Sequence, residues 1–212
     1  IVRDPRSGEP SGLLLEFGGH LEGLIPPPGD TELKSSVRQA SRMLASRGIT
    51  ALQDATATNS VSRWNTFRSL KSSGAILQRV TFMPGAGRVE AFPAEGLRYL
   101  SLSDDVRLGF AKVVVTLSSG DIQPGRSELR EIVEDASRRG FPVAIHAVEA
   151  AAVSAAADAI ASVSSWEQPP GSPHNSKRVR HRHEHRPDLP PQALRPAVAS
   201  GPLVVTHPVV IS

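Results

Sequence analysis

The sequence contains no cysteine, which excludes disulfide bridges, a thiolate nucleophile and every zinc site built on cysteine. This absence leaves the redox compartment unreadable. No apolar run approaches the roughly 18 to 20 residues that span a bilayer, and no basic stretch followed by an apolar leader comes after Ile1. We therefore expect no membrane association, and a cytoplasmic location.

A strong excess of charge of one sign is also missing. Lysine and arginine number 24 against 21 aspartates and glutamates, so the formal net charge is only +3. The pI of 9.8 reflects the many arginines more than a strong positive field. No glycine-rich phosphate loop such as GxGxxG or GxxxxGK follows any candidate strand. These absences argue against a nucleic-acid partner and against a nucleotide-binding sheet.

What the sequence does contain is a regular alternation of helix and strand patterns. Residues 1–30, rich in proline and glycine, predict an irregular N-terminal arm. After them, amphipathic helical spacing repeatedly ends at a glycine and gives way to a short apolar strand. Helices are predicted from N-caps at Thr31 and Ser127 and near 61–73, 93–100, 149–163 and 190–200. Strands are predicted at 49–54, 77–83, 107–116, 141–146, 179–185 and 202–207.

This alternation indicates right-handed crossovers and a parallel sheet. The predicted strands are apolar on both faces, as expected of a sheet covered on both sides. An open doubly wound sheet would lack its usual phosphate loop here, and a closed barrel needs eight units and roughly 250 residues. We therefore predict an α/β fold over residues 31–212, namely an incomplete (β/α)8 TIM-like barrel of about six βα units that lacks its first and last strands.

Candidate functional residues lie where the predicted strands end, because the working side chains of parallel α/β folds gather there. Asp54, His146, His185 and His207 each close a strand, and Lys112 lies within the apolar segment FAKVVV. A strand lysine is ordinarily exposed at an edge, with its stem along apolar surface. A lysine buried in a central strand must be paired, neutral or modified, for example by CO₂, which turns its tip into a carboxylate. A lone strand-end histidine is more often structural than a ligand.

The segment HRHEH, residues 181–185, permits three interpretations. It could form a basic solvated stripe, although it lacks the interleaved aromatics of a nucleic-acid surface. His183 and His185 could chelate a metal together, since alternate residues of a strand share a face. Alternatively, His185 alone is a ligand at the strand tip, with the other histidines in the core. Residue chemistry does not separate the last two interpretations.

A longer pattern runs through almost the whole chain. Its blocks are, in order, IVRDPRSGEPSGLLLE, RGITALQDA, LKSSGAILQRV, FAKVVV, GFPVAIHAVEAAAVSAAADAI, and RHRHEHRPDLPPQAL with VVTHP. One such block would be unspecific, but the ordered set resembles the metal-dependent amidohydrolase superfamily. The resemblance is to its amidohydrolase family 3 branch, which includes N-substituted formamide deformylases.

The resemblance implies a barrel that holds one or two divalent metal ions, with zinc the expected metal. It assigns three metal ligands: Lys112, often carbamylated, on the fourth strand of such a barrel, His146 on the fifth and His185 on the sixth. His183 then becomes a residue of the core or a support for the ligands. We therefore expect the tips of the three ligands to meet within one coordination shell, a few ångströms across.

Four further residues are weaker candidates around such a site. Arg182 and Glu184 would orient the metal ligands through hydrogen bonds without binding the metal themselves. Asp54 and His207 would support ligands or contact the substrate, and the role of His207 is open.

The expected reaction is hydrolysis of a C–N bond in a small amide or formamide by metal-activated water. The family's first strand carries a His-x-His pair, but no such pair precedes Lys112 here, and no strand ending in an aspartate, the residue that serves as the family's base, follows His207. We therefore expect a central fragment of a longer enzyme, inactive alone, and leave a homo-oligomer open. The alternative is a degenerate, non-catalytic barrel fragment or binding protein.

Overall fold

A computed structural model describes residues 1–14, 21, 23–118, 120–163, 180–184 and 203–205. The helices are α1 (Asp30–Ser46), α2 (Val61–Ser72), α3 (Ala91–Ala94), α4 (Arg126–Arg138) and α5 (Ala150–Ala161). The strands are β1 (Ala51–Asp54), β2 (Arg79–Phe82), β3 (Leu102–Ser103), β4 (Val106–Leu108), β5 (Ala111–Val114), β6 (Thr116–Ser118), β7 (Asp121–Gln123), β8 (Val143–His146), β9 (Arg182–Glu184) and β10 (Leu203–Val205). Across these ranges, no helix is long and apolar enough to cross a membrane.

Parallel pairing dominates the sheet. Strand β1 pairs with β2 and β2 with β4, while β5 pairs with β8, β8 with β9 and β9 with β10, all in parallel. A bridge between Gly85 and Lys112 joins the end of β2 to β5 and so links the two sheets. Short antiparallel pairs, β3 with β4 and β6 with β7, lie beside this layer. The parallel α/β fold predicted from the sequence is confirmed.

The layer formed by these two linked sheets is strongly curved. Arg182 on β9 donates a hydrogen bond from Nη1 to Oε1 of Gln53 on β1, over 3.2 Å. Strands β2, β5 and β8 lie between them in the sheet order, which in a flat sheet would separate β1 from β9 by roughly 19 Å. The two side chains therefore meet across the inside of a curl, as in part of a TIM-like barrel. The described residues do not close that barrel, and the number of βα units stays a prediction.

Glycine sets the ends of the helices as the sequence predicted. Gly48, Gly74 and Gly140 follow α1, α2 and α4 with φ of +78°, +68° and +81°, a conformation that glycine adopts without steric cost. The predicted N-caps at Thr31 and Ser127 are wrong. The caps are Gly29 for α1 and Gly125 for α4, each two residues earlier than predicted, so Thr31 and Ser127 lie inside the first turn.

Two predicted elements differ from the structure. The helix expected at 93–100 is replaced by a 3-10 turn at Ala86–Arg88 and the short α3, because Pro93 suits only a first helical turn and Gly96 ends it. The strand expected at 107–116 is broken at Gly109, into β4 and β5. A Cβ on Gly109 would lie 2.8 Å from Cγ2 of Thr81, so any other residue here would have to displace that methyl group.

Most of the aromatic residues that the structure describes lie in the core between sheet and helices. Phe82 on β2 lies 5.6 Å from Trp64 and 5.4 Å from Phe67, measured between ring centroids, both edge-on. Phe92 continues the contact from Phe82 to Phe141, at 6.5 and 6.4 Å. This core packs against the outer faces of the strands, opposite the face that carries Lys112 and His146.

Predictions for the two ends of the chain have different outcomes. Within the N-terminal arm, residues 2–13 form a small hairpin, with the amide of Val2 donating to Leu13 and that of Asp4 to Glu9. The domain boundary at residue 30 stays a prediction. The predicted helix at 190–200 lies outside the described residues.

Candidate metal centre

One face of three neighbouring strands carries most of the charged candidates. Strand register places Lys112 of β5 beside Ala144 of β8, which lies beside Arg182 of β9. One step towards the carboxyl ends, His146 lies beside Glu184. Since alternate strand residues share a face, these side chains line the same inner surface of the curl.

The centre of this surface is a buried ion pair. The Nζ of Lys112 is hydrogen-bonded to Oε2 of Glu184, and the two residues are only 4% and 5% exposed. The other carboxylate oxygen, Oε1, accepts a hydrogen bond from Nη2 of Arg182 at 2.8 Å. The single negative charge of Glu184 is thus shared between two positive charges, those of Lys112 and Arg182. A buried lysine was predicted to need a partner, and Glu184 is that partner.

Arg182 is itself held from two further sides. Its guanidinium carbon lies 5.0 Å from the centroid of the Phe110 ring, within the range of a cation–π contact. Phe110 packs edge-on against Tyr99, with centroids 5.6 Å apart. The hydrogen bond to Gln53 completes the set. The arginine is therefore fixed in a position from which it faces Glu184.

The electrostatics follow from burial and from these neighbours. Burial, and then the positive charge of Arg182, lower the pKa of Lys112 to about 8. Lys112 thus remains an ammonium at neutral pH, paired with Glu184. Burial and the charge of Lys112 also lower the pKa of His146, against a smaller opposing effect of Glu149. His146 is therefore neutral at pH 7, the form that binds metals.

His183, on the opposite face of β9, and His181, the residue before this strand, are buried histidines outside the network of ion pairs. His181 and His183 are 6% and 1% exposed, and His183 lies beside the buried Ile145. The backbone N–H of Val143 donates to Nδ1 of His181 at 3.2 Å, and burial lowers the pKa of His181 to about 4. Together with the buried Glu184, this placement argues against a basic stripe open to solvent at 181–184.

Asp54 lies at the end of β1 but serves the loop that follows it. Its carboxylate accepts hydrogen bonds from the backbone and hydroxyl of Thr56 and from the side-chain amide of Asn59. Asn59 also donates to the carbonyl of Met83, so this network ties the loop to β2. Gln53, the preceding residue, is the one that reaches the ion pairs through Arg182.

Sequence reasoning missed three residues that surround the charged cluster, namely Gln53, Phe110 and Tyr99. Strand alternation from Asp54 would have placed Gln53 on the opposite, inner face. No local pattern indicated Phe110, because it lies in the break between β4 and β5. Two predicted site residues, His185 and His207, lie outside the described residues. The structure therefore brings Lys112 and His146 to one surface, and the third predicted ligand stays a prediction.

The described side chains fit a divalent ion only if Lys112 loses its positive charge. Among them, no three histidine, aspartate or glutamate side chains come together as a ready metal site. His146 and Glu184 offer nitrogen and oxygen donors on the same surface, but the ammonium of Lys112 repels a cation. Lys112 would fit as a ligand in its carbamylated form, in which its tip is a carboxylate.

Comparison with known proteins agrees with this architecture. The fold resembles an uncharacterized metal-dependent hydrolase from Pyrococcus furiosus, with a TM-score of 0.71 at 17% identity over 99% of this chain and 45% of that one. A second such hydrolase, from Pyrococcus horikoshii OT3, gives 0.66 at 18% identity over 85% and 38%. At such identities the likeness shows the fold alone, and the chain spans less than half the length of either protein.

Sequence comparison adds the family. Among curated proteins, none matches the chain. The sequence profile of the amidohydrolase family, in contrast, matches residues 1–209, which is nearly the whole chain. The ordered blocks, the curved parallel sheet and this match lead to one conclusion: the chain belongs to the amidohydrolase family.

Proposed function

We propose that this chain is part of a metal-dependent hydrolase that cleaves C–N bonds in small amides or formamides. The observation that carries the proposal is the meeting of Lys112, His146 and Glu184 on the inner surface of a curved parallel sheet in an amidohydrolase-family chain. The metal dependence of both structural neighbours supports it. The narrower likeness to N-substituted formamide deformylases is part of the same proposal.

Carbamylated Lys112, His146 and His185 would hold the ion, with zinc the expected metal. When bound, a metal supplies a water molecule of lowered pKa and polarises the substrate carbonyl. Carbamylation itself needs only CO₂. The neutral amine forms an N–C bond to the carbon of CO₂, one C–O π bond opens to give the carboxylate, and the nitrogen releases a proton to water.

The chain's own residues prepare the surface for this chemistry. Arg182, held by Phe110 and Gln53, fixes Glu184 in its place. The buried position of Glu184 and Lys112 limits water at the cluster, so their charges act over a low local dielectric. The catalytic base, an aspartate in this family, has no counterpart in the sequence and is expected elsewhere in a longer protein. The cytoplasmic location and a homo-oligomer also stay predictions.

Metal analysis tests the proposal. We expect the full chain, purified with added zinc or manganese and bicarbonate, to retain about one ion or more, since the expected family site holds one or two. His146→Ala and His185→Ala should each lose most of that metal, and Glu131→Gln on the exposed side of α4 should not. Undiminished metal in both histidine variants would refute the ligand assignment.

A non-catalytic role is the second candidate, and one observation favours it. Lys112 and Glu184 already satisfy each other, so the fold does not need a metal to complete its polar interior. The coding sequence around this segment separates the two functions. An upstream His-x-His and a downstream strand-end aspartate support the enzyme, whereas stop codons in their place support a degenerate fragment.

A further inference from the structure

The ion pair at the centre of the site occupies a carboxylate that a metal ion would need. We propose that the ammonium of Lys112 and a divalent metal ion are alternative occupants of the Glu184 carboxylate, so that the metal-free chain is self-neutralised and excludes the ion. The inference rests on the proposed function, because it concerns the same surface. It adds Glu184 and Arg182 as the residues that control entry of the ion.

Strand geometry brings the two occupants to the same place. His146 and Glu184 are direct neighbours across β8 and β9, so an ion held by His146 on the inner surface would lie beside the Glu184 carboxylate. Lys112 reaches that carboxylate from the other side of β8 and contacts its Oε2. Lys112 and Glu184 are both nearly fully buried, so little water is available to screen the charge of a second cation.

The charges of the cluster explain the exclusion. Within the buried cluster, Lys112 and Arg182 contribute two positive charges, and Glu184, which pairs with both, contributes one negative charge. An approaching divalent cation therefore meets a net positive surface. Without the charge of Lys112, the cluster of Arg182 and Glu184 is neutral, and Oε2 of the carboxylate becomes available.

Arg182 keeps the carboxylate in position during this exchange. It binds Oε1, the oxygen that Lys112 does not use, at 2.8 Å. Its own position is fixed by Phe110 and by Gln53, neither of which contacts Lys112 in the hydrogen bonds described. Removing Lys112 from the pair thus leaves Glu184 still aimed at the site. Arg182 acts as a positioning residue for Glu184.

Calorimetric titration of the full chain with zinc chloride, in buffer freed of CO₂, tests the inference. Lys112→Met removes the charge at similar length, and Lys112→Arg is the matched control that retains it. We expect Lys112→Met to bind zinc at least roughly tenfold more tightly than both the unaltered chain and Lys112→Arg, because the substitution removes a unit positive charge that repels the ion from a few ångströms away. Lys112→Gln serves if Lys112→Met does not fold.

Two further variants identify the residues responsible. Adding Glu184→Gln to Lys112→Met should abolish the gain in affinity, and adding His146→Ala should abolish binding. Thermal melting without zinc confirms that each variant is folded.

The outcomes separate this inference from the proposed function. Equal zinc affinity of Lys112→Met and the unaltered chain would overturn the exclusion and leave the proposed metal site standing. A gain that survives Glu184→Gln would overturn the role of Glu184. Zinc binding by none of the folded variants would overturn the inference alone, because the proposed function requires carbamylated Lys112 and is tested separately by metal analysis with bicarbonate.

Discussion

One short segment, residues 181–184, carries two opposite kinds of polar interior. Its inner face presents Arg182 and Glu184, which are charged and joined to Lys112 in a network of ion pairs. Its outer face presents His181 and His183, which are buried among apolar neighbours, and His181 is uncharged at neutral pH. Consecutive residues therefore face environments that differ in charge although all four have polar side chains.

The comparison teaches that strand alternation decides what a polar residue does here. A charge on the inner face is stable because another charge faces it, whereas the outer face tolerates a polar ring only in its neutral form. Each face can therefore be disturbed separately, and the disturbances should differ in size and in pH dependence.

The largest effect is expected from the inner face. Glu184→Gln keeps the shape of the side chain but leaves Lys112 and Arg182 as buried cations without a counter-charge. We expect the free energy of unfolding, measured by urea denaturation with a chelator present, to fall by about 3–5 kcal/mol. The exposed Glu131→Gln should change it by no more than about 0.5 kcal/mol. Similar effects of the two substitutions would contradict the network described here.

The outer face should show its effect only in acid. The pKa of His181 is about 4 in the folded chain against 6.5 for an ordinary histidine, so the unfolded chain binds the proton more readily. The stability contributed by the neutral ring is complete above pH 6.5 and is lost as the pH falls towards 4, by about 3 kcal/mol.

The matched variant for this prediction is His181→Gln, which keeps an acceptor for the N–H of Val143 but does not titrate. Urea denaturation across pH 4 to 7 should show the unaltered chain losing its advantage over the variant as the pH falls. A difference between the two proteins that is constant over this range would refute the buried neutral histidine.

The smallest effect is expected where the inner face meets solvent. Gln53 is exposed, and its hydrogen bond from Arg182 spans 3.2 Å, so Gln53→Ala should lower the free energy of unfolding by about 1 kcal/mol or less. Gln53→Glu retains an acceptor for Arg182 and should lose less. If Gln53→Ala lowered the free energy of unfolding as much as Glu184→Gln, Gln53 would have to be shielded from solvent, contrary to its exposed position at β1.

The fold was largely predictable because its signals are local and repeated. Helical spacing that ends at Gly48, Gly74 and Gly140 predicted the helix–strand alternation, and alternation of this kind implies parallel pairing. The failures have physical causes of longer range. The break at Gly109 lies against Thr81, a residue distant in sequence, and no local pattern indicates such a contact.

The site was predictable only in part. Order along the chain indicated Lys112 and His146, and the structure places them on one surface. The partner of Lys112 was not predicted, since Glu184 appeared only as a support for neighbouring ligands. Pairings between strands distant in sequence depend on register, which a single sequence does not encode in any short motif.

The bridge between Gly85 and Lys112 forms a seam between the two halves of the sheet. A Cβ on Gly85 would lie 2.1 Å from the carbonyl oxygen of Ala57, so no other residue fits without displacing backbone. The backbone of Lys112 is hydrogen-bonded to Pro84, directly beside this point. The position of Lys112 therefore depends on how the two halves of the sheet are aligned. A bulkier residue in place of Gly85 would shift the halves and displace the charged surface without contacting any charged side chain.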